Sequence, residues 1–407
     1  MNKIRNSTYF IFSCVVSLIL FIPNLIKSTI GSDWDSYALI GTFYNYDLVG
    51  LYTPSRPPGF PVYELIVGII FKGLRSGSLL NPEQGLLIFQ FFLVITLNFI
   101  IYSFINKSDE QNYLFYLLIV FSPIYLISGV SVIDYFLGAI FGFGAIYMVM
   151  NKYSSKYICF YLAVLLSLSI GIRLSNAIFL TAIFLYITIY KKNYKLSIYT
   201  AVLTIVLSCF IYLPFYANLY SFYTLNTVYN SPMEMICLLN LTNTDHTLID
   251  RIGRFVLKQI NFFGSIGFVF FLILIKNVRT KITENNFIFS IVFILFQFSF
   301  LRLPTEEGHL LPAFISLLLL LSSMKNFNSK ILIATLTFTF LSSFVDFKFY
   351  SVNSIDSASE ISLKANVTKG FFIEDYELRN SKALEKEFHY KNSQTTLLDA
   401  WKDGCPN

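Results

Sequence analysis

Apolar stretches about as long as a bilayer crossing alternate with short polar breaks from the N-terminus to about Val345. They predict helical spans near 8–27, 84–105, 113–130, 132–150, 157–172, 174–190, 196–215, 255–275, 287–302, 309–324 and 330–346. At ~20 residues per crossing this makes about eleven transmembrane helices. The runs are continuously apolar and lack the period-2 alternation of an outer-membrane barrel, so helices alone can satisfy the backbone. The run from Tyr157 to Tyr190 is too long for one crossing and carries Arg173 midway, which splits it into a hairpin of two short helices. Pro61 to Lys72 is apolar but too short to span, and reads as a helix lying at the interface.

Composition agrees: 55% of residues are hydrophobic, 13% are charged and the mean hydropathy is +0.62. Soluble chains carry about a quarter charged residues. The expected fold class is therefore an all-α polytopic membrane protein, with a transmembrane domain over 1–346 and a small polar region over 347–407. The segment Tyr9–Ile22 follows Lys3 and Arg5 as a signal peptide would. It lacks a small-residue cleavage site and continues through Pro23 to Ile26, so an uncleaved first helix is expected.

With the N-terminus inside, the inner loops hold Lys3, Arg5, Lys107, Lys152, Lys156, Lys191, Lys192, Lys195, Lys276, Arg279, Lys281 and Lys325, against Asp109, Glu110 and Glu284. This is the bias of short inner loops toward positive charge. It also accounts for the net charge of +6 without a nucleic-acid partner. The outer side then receives the loop 28–83, the loop 216–254, the turn 304–308 and the tail, with strands expected around Gly370–Leu378 and a helix at Ser381–Phe388. Cys14, Cys159 and Cys209 lie in apolar helices as packing residues; Cys237 and Cys405 both fall outside, where a disulfide is allowed.

The first outer loop carries the strongest chemical signal: Asp33-Trp34-Asp35-Ser36-Tyr37, then Ser55-Arg56-Pro57-Pro58-Gly59-Phe60-Pro61-Val62-Tyr63-Glu64. A carboxylate in a partly dry cleft can serve as a general base toward a hydroxyl acceptor. Asp33 and Asp35 would equally well cap a following helix. Arg173, in a wholly apolar stretch, marks a function, a side chain reaching for headgroups, or a buried pair, with Asp134 as the natural partner. Arg302 has Glu306 and Glu307 for local ion pairs, His309 begins a helix, and Asp245-His246 lacks a third ligand for a metal. No Walker loop, dinucleotide fingerprint, His-Glu-x-x-His or nucleophile elbow occurs.

The layout resembles the GT-C superfamily of glycosyltransferases, in particular bacterial relatives of protein O-mannosyltransferases and lipid A aminoarabinose transferases. Asp33 and Asp35 stand where that superfamily has an acidic motif after its first helix, and Arg56 to Pro61 where it has a Pro-rich stretch opening an interfacial helix. Asp134 matches its second acidic position, and Leu301 to Pro312 its late outer turn. The resemblance implies transfer of a sugar from a polyprenyl-phosphate donor to a glycan, lipid or protein acceptor on the outer face of the inner (plasma) membrane. Asp33 or Asp35 would be the catalytic base of an inverting displacement. Arg302, Arg173, Arg56 and His309 would hold the leaving phosphate, Asp134 would orient the acceptor or a basic partner, and Trp34, Tyr37 and Tyr63 are the aromatic residues expected near the sugar. A divalent cation between the loop carboxylates is allowed but not required. A flippase for lipid-linked saccharides would spread charges through the spans, and an O-antigen polymerase or ligase would place its large outer loop late; neither pattern is seen.

Overall fold

The computed structural model describes residues 2–27, 30, 36, 39, 60–75, 80–105, 110–153, 155–225, 248–276, 284–302, 307–324, 327–348, 351–352, 361–362 and 366–368. Up to Leu341 the described chain is almost wholly helical. In order come α1 (Asn2–Lys27), α2 (Pro61–Arg75), α3 (Pro82–Phe104), α4 (Glu110–Val120), α5 (Pro123–Val130), α6 (Tyr135–Asn151) and α7 (Ile158–Ile172). There follow α8 (Ala177–Ile189), α9 (Tyr194–Leu225), α10 (Leu248–Ile260), α11 (Ser265–Ile275), α12 (Glu284–Arg302), α13 (Leu311–Ser322) and α14 (Ser329–Leu341). Beyond them lie β1 (Asp346–Lys348), β2 (Ser351–Val352), β3 (Ile361–Ser362) and β4 (Asn366–Thr368), in two antiparallel pairs, β1 with β4 and β2 with β3. The strands and helix expected beyond residue 369 lie outside the described residues.

Among the described residues, three segments are long and apolar enough to cross a membrane: Thr8–Ile26, Pro82–Phe104 and Tyr194–Leu213. A fourth is added if Gln111–Val120 and Pro123–Val130, bent by 46° at their junction, form one span. The remaining apolar helices are shorter. This is the helical, apolar architecture of a membrane protein.

Local chemistry explains most helix boundaries. α3 opens on a reciprocal cap in which Gln84 N donates to Asn81 Oδ1 at 2.8 Å and Asn81 N to Gln84 Oε1 at 3.3 Å, with Pro82 in the first turn. The run expected over 113–130 bends because Pro123 cannot donate an amide to the preceding turn; Ser122 caps the new helix. The run expected over 255–275 is two helices rather than one. It breaks at residues 261–264, where Gly264 takes the left-handed φ of 71°. The Tyr157–Tyr190 run breaks at Arg173, which is extended at φ −154° and ψ 124° and leads into a 3₁₀ turn, Leu174–Asn176.

The helices pack as a bundle. α7 lies between α6 and α9; α3 packs on α1, α2 and α6; α12 packs on α8 and α13; α4 packs on α13 and α14, and α11 on α14. Phe143, Phe179 and Phe296 form an edge-to-face column tying α6, α8 and α12, with ring centroids 5.4 Å apart at each step. Small residues let backbones approach. At Gly138 on α6, an added Cβ would stand 2.4 Å from Asn176 Nδ2. That amide donates to Ser169 O at 3.0 Å, and Ser169 Oγ donates to Gly138 O at 2.9 Å.

Contacts among helix ends fall into two sets. In one, Val132 N donates to Ile30 O at 2.7 Å, Gln84 Nε2 donates to Leu25 O at 3.5 Å, and Asp134, Arg173 and His309 meet. In the other, Gln111 Nε2 donates to Phe327 O at 3.0 Å, Ser323 Oγ donates to Asn286 Oδ1, and the Tyr190 and Phe287 rings lie 4.6 Å apart. Each set joins breaks that strict alternation of crossings assigns to a single side.

Because the Gly138–Asn176 approach leaves no room for a methyl group, Gly138→Ala should destabilise the protein by about 1–3 kcal/mol through overpacking. Thermal unfolding in detergent checks this: a lowered midpoint is expected, and an unchanged one would mean that Asn176 moves aside freely.

Candidate functional site

The site is built where three helix breaks coincide. Asp134 occupies the position before the first turn of α6 yet makes no side-chain cap to that helix. It is 1% exposed, and its Oδ2 lies 3.4 Å from Arg173 Nε. Arg173 is 7% exposed. A lone charge so deeply withdrawn from water would be very costly, and the carboxylate offsets that cost.

Phe60, Tyr135 and His309 also meet the guanidinium. Its carbon lies 4.6 Å from the centroid of the Tyr135 ring and 5.5 Å from that of Phe60, over the ring face in each case. Its Nη2 lies 3.3 Å from His309 Nε2. A guanidinium only donates, so Nε2 must accept, which fixes His309 as the neutral Nδ1–H tautomer while this bond lasts. The His309 and Tyr135 rings lie 5.6 Å apart. Gly308 makes this possible: an added Cβ there would fall 2.1 Å from the Tyr135 ring.

These groups line a narrow cleft with room for about one water molecule, together with Ser175, Asn176, Phe296 and Pro312. Its polar lining combines the Arg173 guanidinium and the Asp134 carboxylate with the His309 imidazole, the Ser175 hydroxyl and the Asn176 amide. The guanidinium is the group there that could donate in a fork to the oxygens of an anion. Tyr63 on α2 is fully buried, and its phenol has no hydrogen-bond partner among the described residues. Burial, and secondarily the Asp134 carboxylate, hold that phenol well above its ordinary pKa, so it stays protonated as a hydrogen-bond donor.

Of the residues singled out in the sequence, Asp134, Arg173 and His309 come together here. Arg302 ends α12, and that helix packs on the 3₁₀ turn carrying His309; its side chain is outside the described set. Asp33, Trp34, Asp35, Tyr37 and Arg56 lie outside the described residues, as do Asp245, His246, Cys237 and Cys405. Both flanks of the loop that carries Asp33 to Arg56 are described. Ile30 O holds the amide two residues before Asp134, and Phe60 lies against Arg173. Among the described residues no three His, Cys, Asp or Glu side chains are grouped as a metal ion would need.

Tyr135, Asn176 and Gly308 were not anticipated. Tyr135 follows Asp134 directly, and Ser175-Asn176 is the polar pair after Arg173, so both had a signal in the sequence; Gly308 had none. Comparison with protein-family models, curated proteins and solved structures finds no match to this chain.

Removing one member of the Asp134–Arg173 pair leaves the other charge buried and uncompensated. Asp134→Leu or Arg173→Met alone should each cost about 3–5 kcal/mol, and the double variant much less than their sum. A double-mutant cycle on thermal unfolding measures this. Additive losses would show that the two charges do not interact.

Proposed function

We propose that this chain is a multi-pass inner-membrane glycosyltransferase of the GT-C kind. It moves a sugar from a polyprenyl-phosphate donor to a glycan, lipid or protein hydroxyl on the outer face. The observation that carries this reading is the Arg173 cleft. A buried guanidinium interrupts an apolar hairpin, is held by Asp134, and faces a pocket with His309 at one end of a lipid-compatible bundle. A lipid phosphate needs such a cation at the depth where acyl chains give way to headgroups.

The loop anchors support the rest. Asp33 is three residues from Ile30, and that length of chain spans at most about 11 Å. Ile30 is bonded two residues from Asp134, and Asp35 adjoins the fully buried Ser36. Arg56 is four residues from Phe60, which lies over the guanidinium. These anchors support a reading in which the acidic residues act near the cationic cleft. The loop charges and the two sets of helix-end contacts support the proposed eleven spans, with the N-terminus inside and the C-terminus outside.

In the reaction, Asp33 or Asp35 removes the acceptor hydroxyl proton as that oxygen attacks the anomeric carbon. The bond to the phosphate oxygen breaks, and configuration inverts. Arg173, with Arg302 and Arg56, stabilises the charge developing on the departing phosphate. His309, neutral in its contact with Arg173, donates through Nδ1–H or takes up a proton as the anion arrives. Asp134 acts through Arg173, fixing its orientation rather than touching the sugar. Arginines can perform the electrostatic work that a divalent cation would otherwise supply.

Asp33→Asn, Asp35→Asn, Arg302→Ala and Arg173→Lys test this in a strain lacking the gene, with surface glycans read by mass. Replacing the base should lower transfer by about 10²–10⁴-fold. Arg302→Ala and Arg173→Lys should each lower it by about 10²–10³-fold, the latter because an ammonium cannot reproduce the forked geometry. Normal glycans from well-expressed variants of all four would remove the mechanism.

A further inference from the structure

At the end of the bundle opposite the Arg173 cleft, two short turns meet. One joins α6 to α7 and the other α8 to α9. α7 and α9 run side by side in the same direction: Thr200 Oγ1 donates to Cys159 Sγ at 3.6 Å near their starts, and Tyr212 Oη donates to Ile170 O at 2.9 Å farther along. The turns therefore lie together, and Lys191 Nζ stands 5.6 Å over the Tyr153 ring and 5.4 Å over that of Tyr186.

Their sequences interleave lysine and tyrosine: Lys152-Tyr153-Ser154-Ser155-Lys156-Tyr157 in one, and Tyr190-Lys191-Lys192-Asn193-Tyr194-Lys195 in the other, with no acidic residue in either. Lys152, Lys156, Lys192 and Lys195 are exposed, and Lys156 Nζ lies 5.8 Å over the Tyr157 ring. Lys192 holds a left-handed φ of 51°, a conformation in which glycine or asparagine would rest more easily. One helical turn onward, Phe160, Ile198 and Tyr199 are 55%, 54% and 65% exposed. The ammonium groups thus rim a broad apolar surface shared by α7 and α9.

We propose that this lysine–tyrosine patch binds the headgroup of an anionic phospholipid. The ammonium groups pair with its phosphate, the tyrosine rings sit at the boundary between headgroup and chain, and the acyl chains run along Phe160 and Ile198. Charge complementarity favours an anion. The exposed apolar residues one turn away favour a lipid over a nucleic acid or an acidic soluble protein, either of which would leave that surface uncovered. The site rests on the membrane reading and not on sugar transfer, so failure of the transferase reading leaves it standing.

The test compares association of spin-labelled phosphatidylglycerol and phosphatidylcholine with the full-length protein reconstituted in phosphatidylcholine. The native protein should prefer phosphatidylglycerol. A lysine near the surface is worth about five-fold, so K152Q/K156Q/K192Q/K195Q should lower the preference at least about ten-fold. The corresponding lysine-to-arginine variant should retain it, as should Lys276→Gln, a change in an exposed lysine that belongs to neither turn. Thermal unfolding confirms that each variant is folded. The proposal is overturned by equal association of both lipids with the native protein, by an unchanged preference in the quadruple variant, or by an equal loss in Lys276→Gln. Detergent-solubilised protein that binds a heparin oligosaccharide while showing no lipid preference would assign the patch to a soluble polyanion instead.

Discussion

A guanidinium cannot shed its charge, so an arginine withdrawn from water inside an apolar bundle must be compensated by its surroundings. Arg173 sets this condition, and much of the surrounding architecture answers it. The hairpin breaks at Arg173 itself, in extended conformation, so that the side chain leaves the helix where a carboxylate is available. Asp134 forgoes capping α6 to supply that carboxylate. Tyr135 and Phe60 offer ring faces, and Gly308 is bare so that His309 and Tyr135 can close around the same group.

Asp134 engages the Nε edge of the guanidinium, and Nη2 meets the His309 imidazole beside the cleft. The cation is thus held from two directions. An anion arriving there would meet a group already oriented by buried contacts, which reduces the cost of ordering it on binding. Ile30 and Phe60, which flank residues 31–59 in the sequence, both make contacts at this place.

Legibility from sequence followed the strength of the local physical conflict. Arg173 within Tyr157–Tyr190 was conspicuous because a charge in an apolar run has few acceptable environments, and its pairing with Asp134 was among the alternatives that charge alone suggested. The helices α3, α6, α7, α8 and α12 lie close to their expected bounds because each ends in a polar break. The break between α10 and α11 was hidden. Phe262, Phe263 and Gly264 continue an apolar pattern, and only a positive φ at glycine, which hydropathy does not register, divides it. The contact between His309 and Arg173 was also beyond reach, because it depends on how α13 seats against α6 and on the missing Cβ of Gly308. The proposed role of Asp33 and Asp35 rests on the sequence, with Ile30 and Phe60 as the described residues that flank their loop.

The most direct measurement is an experimental structure of the protein with a short-chain polyprenyl phosphate bound in lipid. The proposed transfer requires the phosphate within hydrogen-bond distance of the Arg173 guanidinium, with the Asp33 or Asp35 carboxylate on the side where the phosphate oxygen would carry the sugar. A phosphate held elsewhere, with both aspartates turned away from the Arg173 cleft, would contradict it.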